Sequence, residues 1–157
     1  MDEPASGGKV ASRQRFRTDM VTDIVGYRLR RAQIAVFTEF NARFAAHDLR
    51  PAEYSTLALS QANPGRKQME IAKALGIKRA NFVALVNTLE ARGLVERRQP
   101  ADDRRSQALY LTAQGLDEIK ALNEVQADFE ARCVEKLGGP AARDQLMALL
   151  DRLLVES

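Results

Sequence analysis

The sequence predicts a mainly α fold with a small two- or three-stranded β wing, a winged helix-turn-helix set between N- and C-terminal helices that pair two copies. Three observations predict it. Apolar residues recur at helical spacing through most of the 157 residues. The period shortens to strand-like runs only at 94–98 and 107–111, on either side of a polar turn. Apolar stripes at both ends exceed what so small a centre can cover, so they call for a symmetric partner copy.

The elements follow in order. Residues 1–15 are Gly, Ser, Pro and charge, and read as a flexible N-terminal tail. From about Asp19, Ile24, Leu29, Val36, Phe37, Phe40 and Phe44 fall on or near one stripe, so 16–48 reads as an N-terminal helix. Pro51 suits the first turn of the next helix, and Asn63-Pro64-Gly65 stops it. A short helix over 68–75 ends at Gly76, and another over 79–92 closes at Gly93. Two strands flank the hairpin tip Pro100-Ala101-Asp102-Asp103-Arg104-Arg105-Ser106. Thr112 caps a long helix with the stripe Leu116, Ile119, Leu122, Val125, Phe129, Cys133 and Leu137. Gly138-Gly139-Pro140 breaks it, and a last helix carries Leu146, Leu149, Leu150, Leu153 and Leu154. The central domain is therefore 49–112, and 113–157 supplies C-terminal dimerisation helices.

Composition narrows the function. Apolar residues are 45% and charged residues 29%, which is globular. One cysteine and one histidine exclude a disulfide framework and argue against a protein-built zinc site. No phosphate loop or catalytic set is evident, so neither an enzyme nor a cofactor is expected. No apolar run approaches the roughly 20 residues of a membrane helix, and the N-terminus lacks an apolar signal core, so a cytoplasmic protein is expected. The net charge is only +3 but it is unevenly placed. Residues 64–105 hold ten basic and five acidic side chains, while 106–157 hold five and nine. A basic middle points to a polyanion.

The middle also carries the chemistry to meet one. Ile71, Leu75, Ile77, Phe82 and Leu85 sit at the offsets that wedge two crossing helices together, with Ala72 small at the crossing and Gly76 permissive at the turn. The second helix has a core face of Phe82, Leu85, Val86 and Leu89, and presents Lys78, Arg79, Asn81, Val83, Ala84, Asn87 and Thr88 on its other face. A B-form major groove admits one such helix. Arg79 is suited to guanine, Asn81 and Asn87 to adenine or phosphate, and Lys78 to phosphate. Arg66 and Lys67 add to the same basic surface. In the hairpin, Asp103 and Arg105 can pair and stiffen the loop, leaving Arg104 to project into a narrow minor groove. Arg97 and Arg98 alternate faces, so one of them, assigned to Arg97, faces DNA.

The segment 49–115 resembles the multiple-antibiotic-resistance regulator (MarR) family of bacterial transcription factors. The resemblance is carried by Gln68-Met-Glu-Ile-Ala-Lys-Ala-Leu-Gly-Ile77, by Val86-Asn-Thr-Leu-Glu-Ala-Arg-Gly-Leu-Val-Glu-Arg97, and by the wing Asp102-Asp-Arg-Arg-Ser-Gln-Ala-Leu-Tyr-Leu-Thr-Ala-Gln-Gly115. It implies a homodimer on a pseudo-palindromic operator in double-stranded DNA, with Arg104 as the wing arginine supported by Asp103 and Arg105. Val83-Ala84 departs from the Thr or Ser followed by Arg that relatives often carry; apolar contact with a thymine methyl is left to them. The resemblance further implies a repressor released by a small ligand, an aromatic acid, a phenolic compound or an acyl-CoA thioester. Its pocket would lie between the dimer helices and the DNA-binding lobe, with Arg28, Arg30, Arg31, Arg43, His47 and Tyr54 as candidates. Three arginines within one helical turn suit an anion such as a CoA conjugate; a solvated basic face, or contacts to DNA phosphates, is the plainer reading. His47 also reads as a helix-terminus cation, and Cys133 as a small core residue. The alternative function is a ligand-binding or protein-interaction module of the same fold that does not bind operator DNA.

Overall fold

The computed structural model describes residues 16–99 and 106–154. The expected tail 1–15 and the hairpin tip 100–105, with Asp103, Arg104 and Arg105, lie outside the described residues. The elements are α1 (Asp19–Thr22), α2 (Val25–Arg43), a 3₁₀ turn (Ala45–His47), α3 (Pro51–Ala62), α4 (Gln68–Ala74), α5 (Arg79–Ala91), β1 (Val95–Arg98), β2 (Ala108–Leu111), α6 (Ala113–Leu137) and α7 (Pro140–Leu154). The chain divides into two compact units at Val36 and Phe37, inside α2.

In the first unit the helix expected from about Asp19 is interrupted at Asp23 and Ile24. Val21, Thr22, Ile24 and Val25 are β-branched and stiff at χ1, which weakens helix propagation. The Ile24 N–H donates to the Val21 carbonyl at 3.1 Å, closing a tight turn in place of a continued α ladder. The Arg28 side chain then donates to the Thr22 carbonyl across the break. Met20, Ile24, Val25, Leu29 and Ile34 are exposed on this chain, so the N-terminal part of the expected stripe has no core of its own.

The second unit holds the core. Phe40 and Phe44 stack with centroids 3.8 Å apart, and Phe129 of α6 meets Phe40 edge-on at 5.8 Å. Around them lie Leu49, Leu57, Phe82, Val86, Leu89, Leu94, Leu109, Ile119 and Leu122, all buried. Asp48 takes the left-handed region (φ 47°), which asparagine and aspartate tolerate better than other side chains and which lets the chain leave the 3₁₀ turn for α3.

Two helices open by the same device. The Glu53 carboxylate accepts from the Arg50 N–H at 2.8 Å, and that of Glu70 from the Lys67 N–H at 3.0 Å. Each satisfies a backbone donor at a helix start. Between α4 and α5 the chain turns at Gly76 (φ 64°), with the Ile77 N–H closing onto the Ala72 carbonyl at 2.9 Å. Ala72 is fully buried at this crossing.

β1 and β2 are antiparallel, from Val95 opposite Leu111 to Arg98 opposite Ala108. What would be a third strand is a single bridge, Lys67 to Ala108, flanked by the Leu109 N–H on the Arg66 carbonyl at 3.0 Å and the Gln68 N–H on the Gln107 carbonyl at 2.8 Å. The sheet therefore anchors the start of α4 directly. α7 buries none of its residues, and Leu149, Leu153 and Leu154 are 50, 60 and 76% exposed. Among the described residues no helix is long and apolar enough to cross a membrane.

Candidate nucleic-acid interface

The second helix of the pair, α5, turns two unlike faces. Phe82, Val86 and Leu89 are buried and Leu85 is half-buried, as the apolar spacing predicts. Lys78, Arg79, Ala80, Asn81, Ala84, Asn87 and Thr88 are exposed, and Val83 is half-buried at the edge of that face. Lys78 is the extended N-cap residue (φ −61°, ψ 141°), so it and Arg79 stand where the helix exposes its unpaired N–H groups and the positive end of its dipole. Cationic side chains there concentrate positive potential at that end of the helix. Thr88 folds back, donating to the Ala84 carbonyl at 3.2 Å. The middle of the outward face is therefore small and flat, with Asn87 its longest polar side chain.

The other basic residues differ in how far they are committed. Arg66 is exposed and sits 3.5 Å from Glu70; Lys67 is exposed beside it on the bridge to β2. Arg98 lies over the Tyr110 ring at 4.4 Å and pairs with Glu96. Arg97, assigned to DNA from the strand alternation, turns inward instead: its guanidinium reaches Glu90 at 2.5 Å and Asn87 at 2.7 Å.

Sequence reasoning missed two arginines beside α5. Arg50 lines a cleft of about 340 Å³ with Ala52, Asn81, Ala84 and Thr88, on the flank of α5 opposite Arg97. Arg92, at the helix C-cap, donates to the Asp48 and His47 carbonyls at 2.7 and 2.8 Å and ties α5 to the turn before α3. Neither has a local signal, because each meets residues distant in the chain.

The effector candidates fall in both units. Arg28, Arg30 and Arg31 belong to the first and are exposed. Arg43, His47 and Tyr54 belong to the second, and each meets α6. Arg43 contacts Asp128 at 2.9 Å and Glu39 at 3.3 Å. Glu39 is shared with Lys136, whose ammonium holds that carboxyl below its ordinary range, with help from Arg43. His47 Nδ1 lies 2.8 Å from Glu118, and the Tyr54 hydroxyl donates to Asn123 at 3.0 Å. Burial pushes the Tyr54 phenol up. These three are spread along α6 from Glu118 to Asp128 rather than gathered round one point.

A model of the MarR family matches residues 47–106. A protein described as the transcriptional regulatory protein for the hcr operon of Thauera aromatica is 33% identical over 134 residues, 82% of this chain and 78% of that one. This chain belongs to the MarR family. Among solved MarR-type structures, the transcriptional repressor CouR bound to a 23-mer DNA duplex is 42% identical, covering 90% of this chain and 97% of that one with a TM-score of 0.78. CouR bound to p-coumaroyl-CoA is 38% identical, covering 90% and 99%, with a TM-score of 0.83.

Membership gives the Leu111-Thr112-Ala113-Gln114-Gly115 run a physical reading. The Thr112 hydroxyl accepts from the Gly115 N–H at 3.0 Å and donates to the Gly93 carbonyl at 2.5 Å. One threonine thus caps α6 and ties it to the end of α5. In this MarR-family chain the end of β2 is therefore tied to the turn that follows α5.

Proposed function

We propose that two copies of this chain form a homodimer that represses transcription from a pseudo-palindromic operator and releases it on binding a small anionic aromatic ligand, of the aromatic acid or acyl-CoA class. The observation that carries this reading is the exposed face of α5, led by Lys78 and Arg79, on a chain 42% identical to a repressor bound to a DNA duplex. A protruding helix with a cationic N-terminus suits the major groove, with Arg79, Asn81, Ala84 and Asn87 toward base edges and Arg66, Lys67 and Lys78 toward phosphates. Arg104, with Asp103 and Arg105 on either side of it in the sequence, is assigned to the minor groove.

The uncovered leucines of α7 and the exposed apolar side chains of α1 and α2 support pairing of two copies. A two-fold dimer presents two recognition helices, which is why the operator is read as pseudo-palindromic. For the ligand, support comes from CouR, bound to p-coumaroyl-CoA at 38% identity, and from the arginines of α2. Arg43 and His47 already face carboxylates, which leaves Arg28, Arg30 and Arg31 as the better candidates for an anionic group.

Fluorescence anisotropy tests the reading, using the duplex that the chain enriches from a randomised pool. Affinity is expected to fall with rising salt, and p-coumaroyl-CoA, unlike CoA alone, is expected to release the duplex. Equal binding of the enriched duplex and a shuffled one would overturn operator recognition.

A further inference from the structure

Arg97 is a strand residue whose side chain is only 18% exposed. Its guanidinium uses every nitrogen on neighbouring elements. Nε donates to Gln68 Oε1 at 3.3 Å, at the start of α4. Nη1 donates to Glu90 Oε2 at 2.5 Å, and Nη2 to Asn87 Oδ1 at 2.7 Å and to the Val83 carbonyl at 3.4 Å, all on α5. The Arg97 N–H adds a bond to Glu90 Oε1 at 3.3 Å. One side chain therefore joins α4, α5 and β1, the three parts whose relative placement decides how α5 meets a groove.

We infer that Arg97 is a positioning residue for operator recognition, fixing the tilt of α5 against α4 and the wing and turning Asn87 so that its amide N–H groups face the DNA. This rests on the operator-binding reading above. Two physical points support it. A guanidinium engaged by a carboxylate, an amide oxygen and a backbone carbonyl has little charge or donor capacity left for a phosphate. An asparagine whose Oδ1 already accepts from Arg97 offers mainly donors outward, so it matches the acceptors guanine N7 and O6, thymine O4 and adenine N7. Lysine cannot replace this fork, because an ammonium is a point charge without planar geometry.

The test separates positioning from phosphate contact. Arg97→Lys, Arg97→Ala and Glu90→Gln are titrated against the duplex enriched by the wild-type chain and against a shuffled duplex, between about 50 and 200 mM salt. Arg97→Lys is expected to weaken the enriched duplex about tenfold, to leave the shuffled one unchanged and to preserve the salt slope, which counts phosphate contacts. Glu90→Gln is expected to do the same, because it loosens the hold on Arg97. Circular dichroism melts of all three variants identify any folding defect; should Arg97→Ala not fold, Arg97→Lys and Glu90→Gln carry the test, and unchanged affinity of both for the enriched duplex would overturn the inference. A salt slope shallower by about 0.9 in Arg97→Ala, with both duplexes weakened alike, would make Arg97 a phosphate contact and overturn the inference. So would tighter binding of both duplexes by Glu90→Gln, since a released Arg97 would then be reaching the backbone. If the wild-type chain enriches no duplex, the operator reading itself fails and takes this inference with it.

Discussion

The carbonyl of Leu94 occupies the space that a side chain on Gly115 would need. The contact is backbone against backbone, between the turn that ends the recognition helix and the first turn of α6, and the Thr112 N–H on the Leu94 carbonyl at 3.2 Å holds it closed. Neither side can yield by rotating a side chain. Gly115→Ala is therefore expected to destabilise the chain by about 1–3 kcal/mol. At this chain length that corresponds to about 2–4 °C of melting temperature per kcal/mol. Circular dichroism melts check it, and an unchanged midpoint would mean that α6 slides at no cost.

Lys78 and Arg79 are neighbours with different expected signatures. Arg79→Ala should cost about 1–3 kcal/mol on the enriched duplex and relax the preference at one base position. Lys78→Ala should weaken all duplexes alike and make the salt dependence shallower by about one contact. Selection from a randomised pool with each variant, followed by salt titration, reads both. An Arg79→Ala protein with wild-type selectivity would place the N-terminus of α5 outside the groove.

Leu149 and Leu153 stand on a helix that buries none of its residues. An aspartate at either position would put a charge into the proposed two-fold interface, where its desolvation opposes association. Sedimentation equilibrium of the wild-type chain should give twice 17.5 kDa, and Leu149→Asp or Leu153→Asp should shift it toward the single-chain mass. A wild-type chain that sediments as one copy would refute the pairing.

Cys133 lies half-buried on α6, and burial pushes its thiol up, with Glu130 and Glu39 adding to the shift and Lys136 and Arg43 opposing it. The thiolate is the reactive form. At pH 8 the folded chain is expected to react with a disulfide reagent more slowly than the unfolded chain, and its rate should keep rising above the usual thiol range of about 8.5. Lys136→Ala removes a stabilising charge and should slow the reaction further, while Glu130→Gln should speed it. A folded chain that reacts as fast as the unfolded one would contradict this environment.

The order of elements was open to reading because it depends on short-range rules. The starts at Pro51 and Thr112, the stops at Gly76, Gly93 and Gly138, and the core face of α5 each follow from dihedral preference, capping or a repeat of 3.6 residues. The break at Asp23 and Ile24 was missed because the apolar period runs on through a β-branched stretch that propagates helix poorly.

Charged partners could not be read in this way. Arg97 sits on a strand where alternation offers two faces, and only packing against Gln68, Asn87 and Glu90 turns it inward. Arg43 and His47 looked available to a ligand, yet their carboxylates at Asp128 and Glu118 lie 85 and 71 residues away. Arg50 comes beside Asn81 and Thr88 only once α3 packs near α5. Helices and strands arise from neighbours along the chain and are written into local residue order. Which acid holds which base is settled when distant segments meet, because Coulomb attraction and hydrogen bonding act through space and carry no record of separation in sequence.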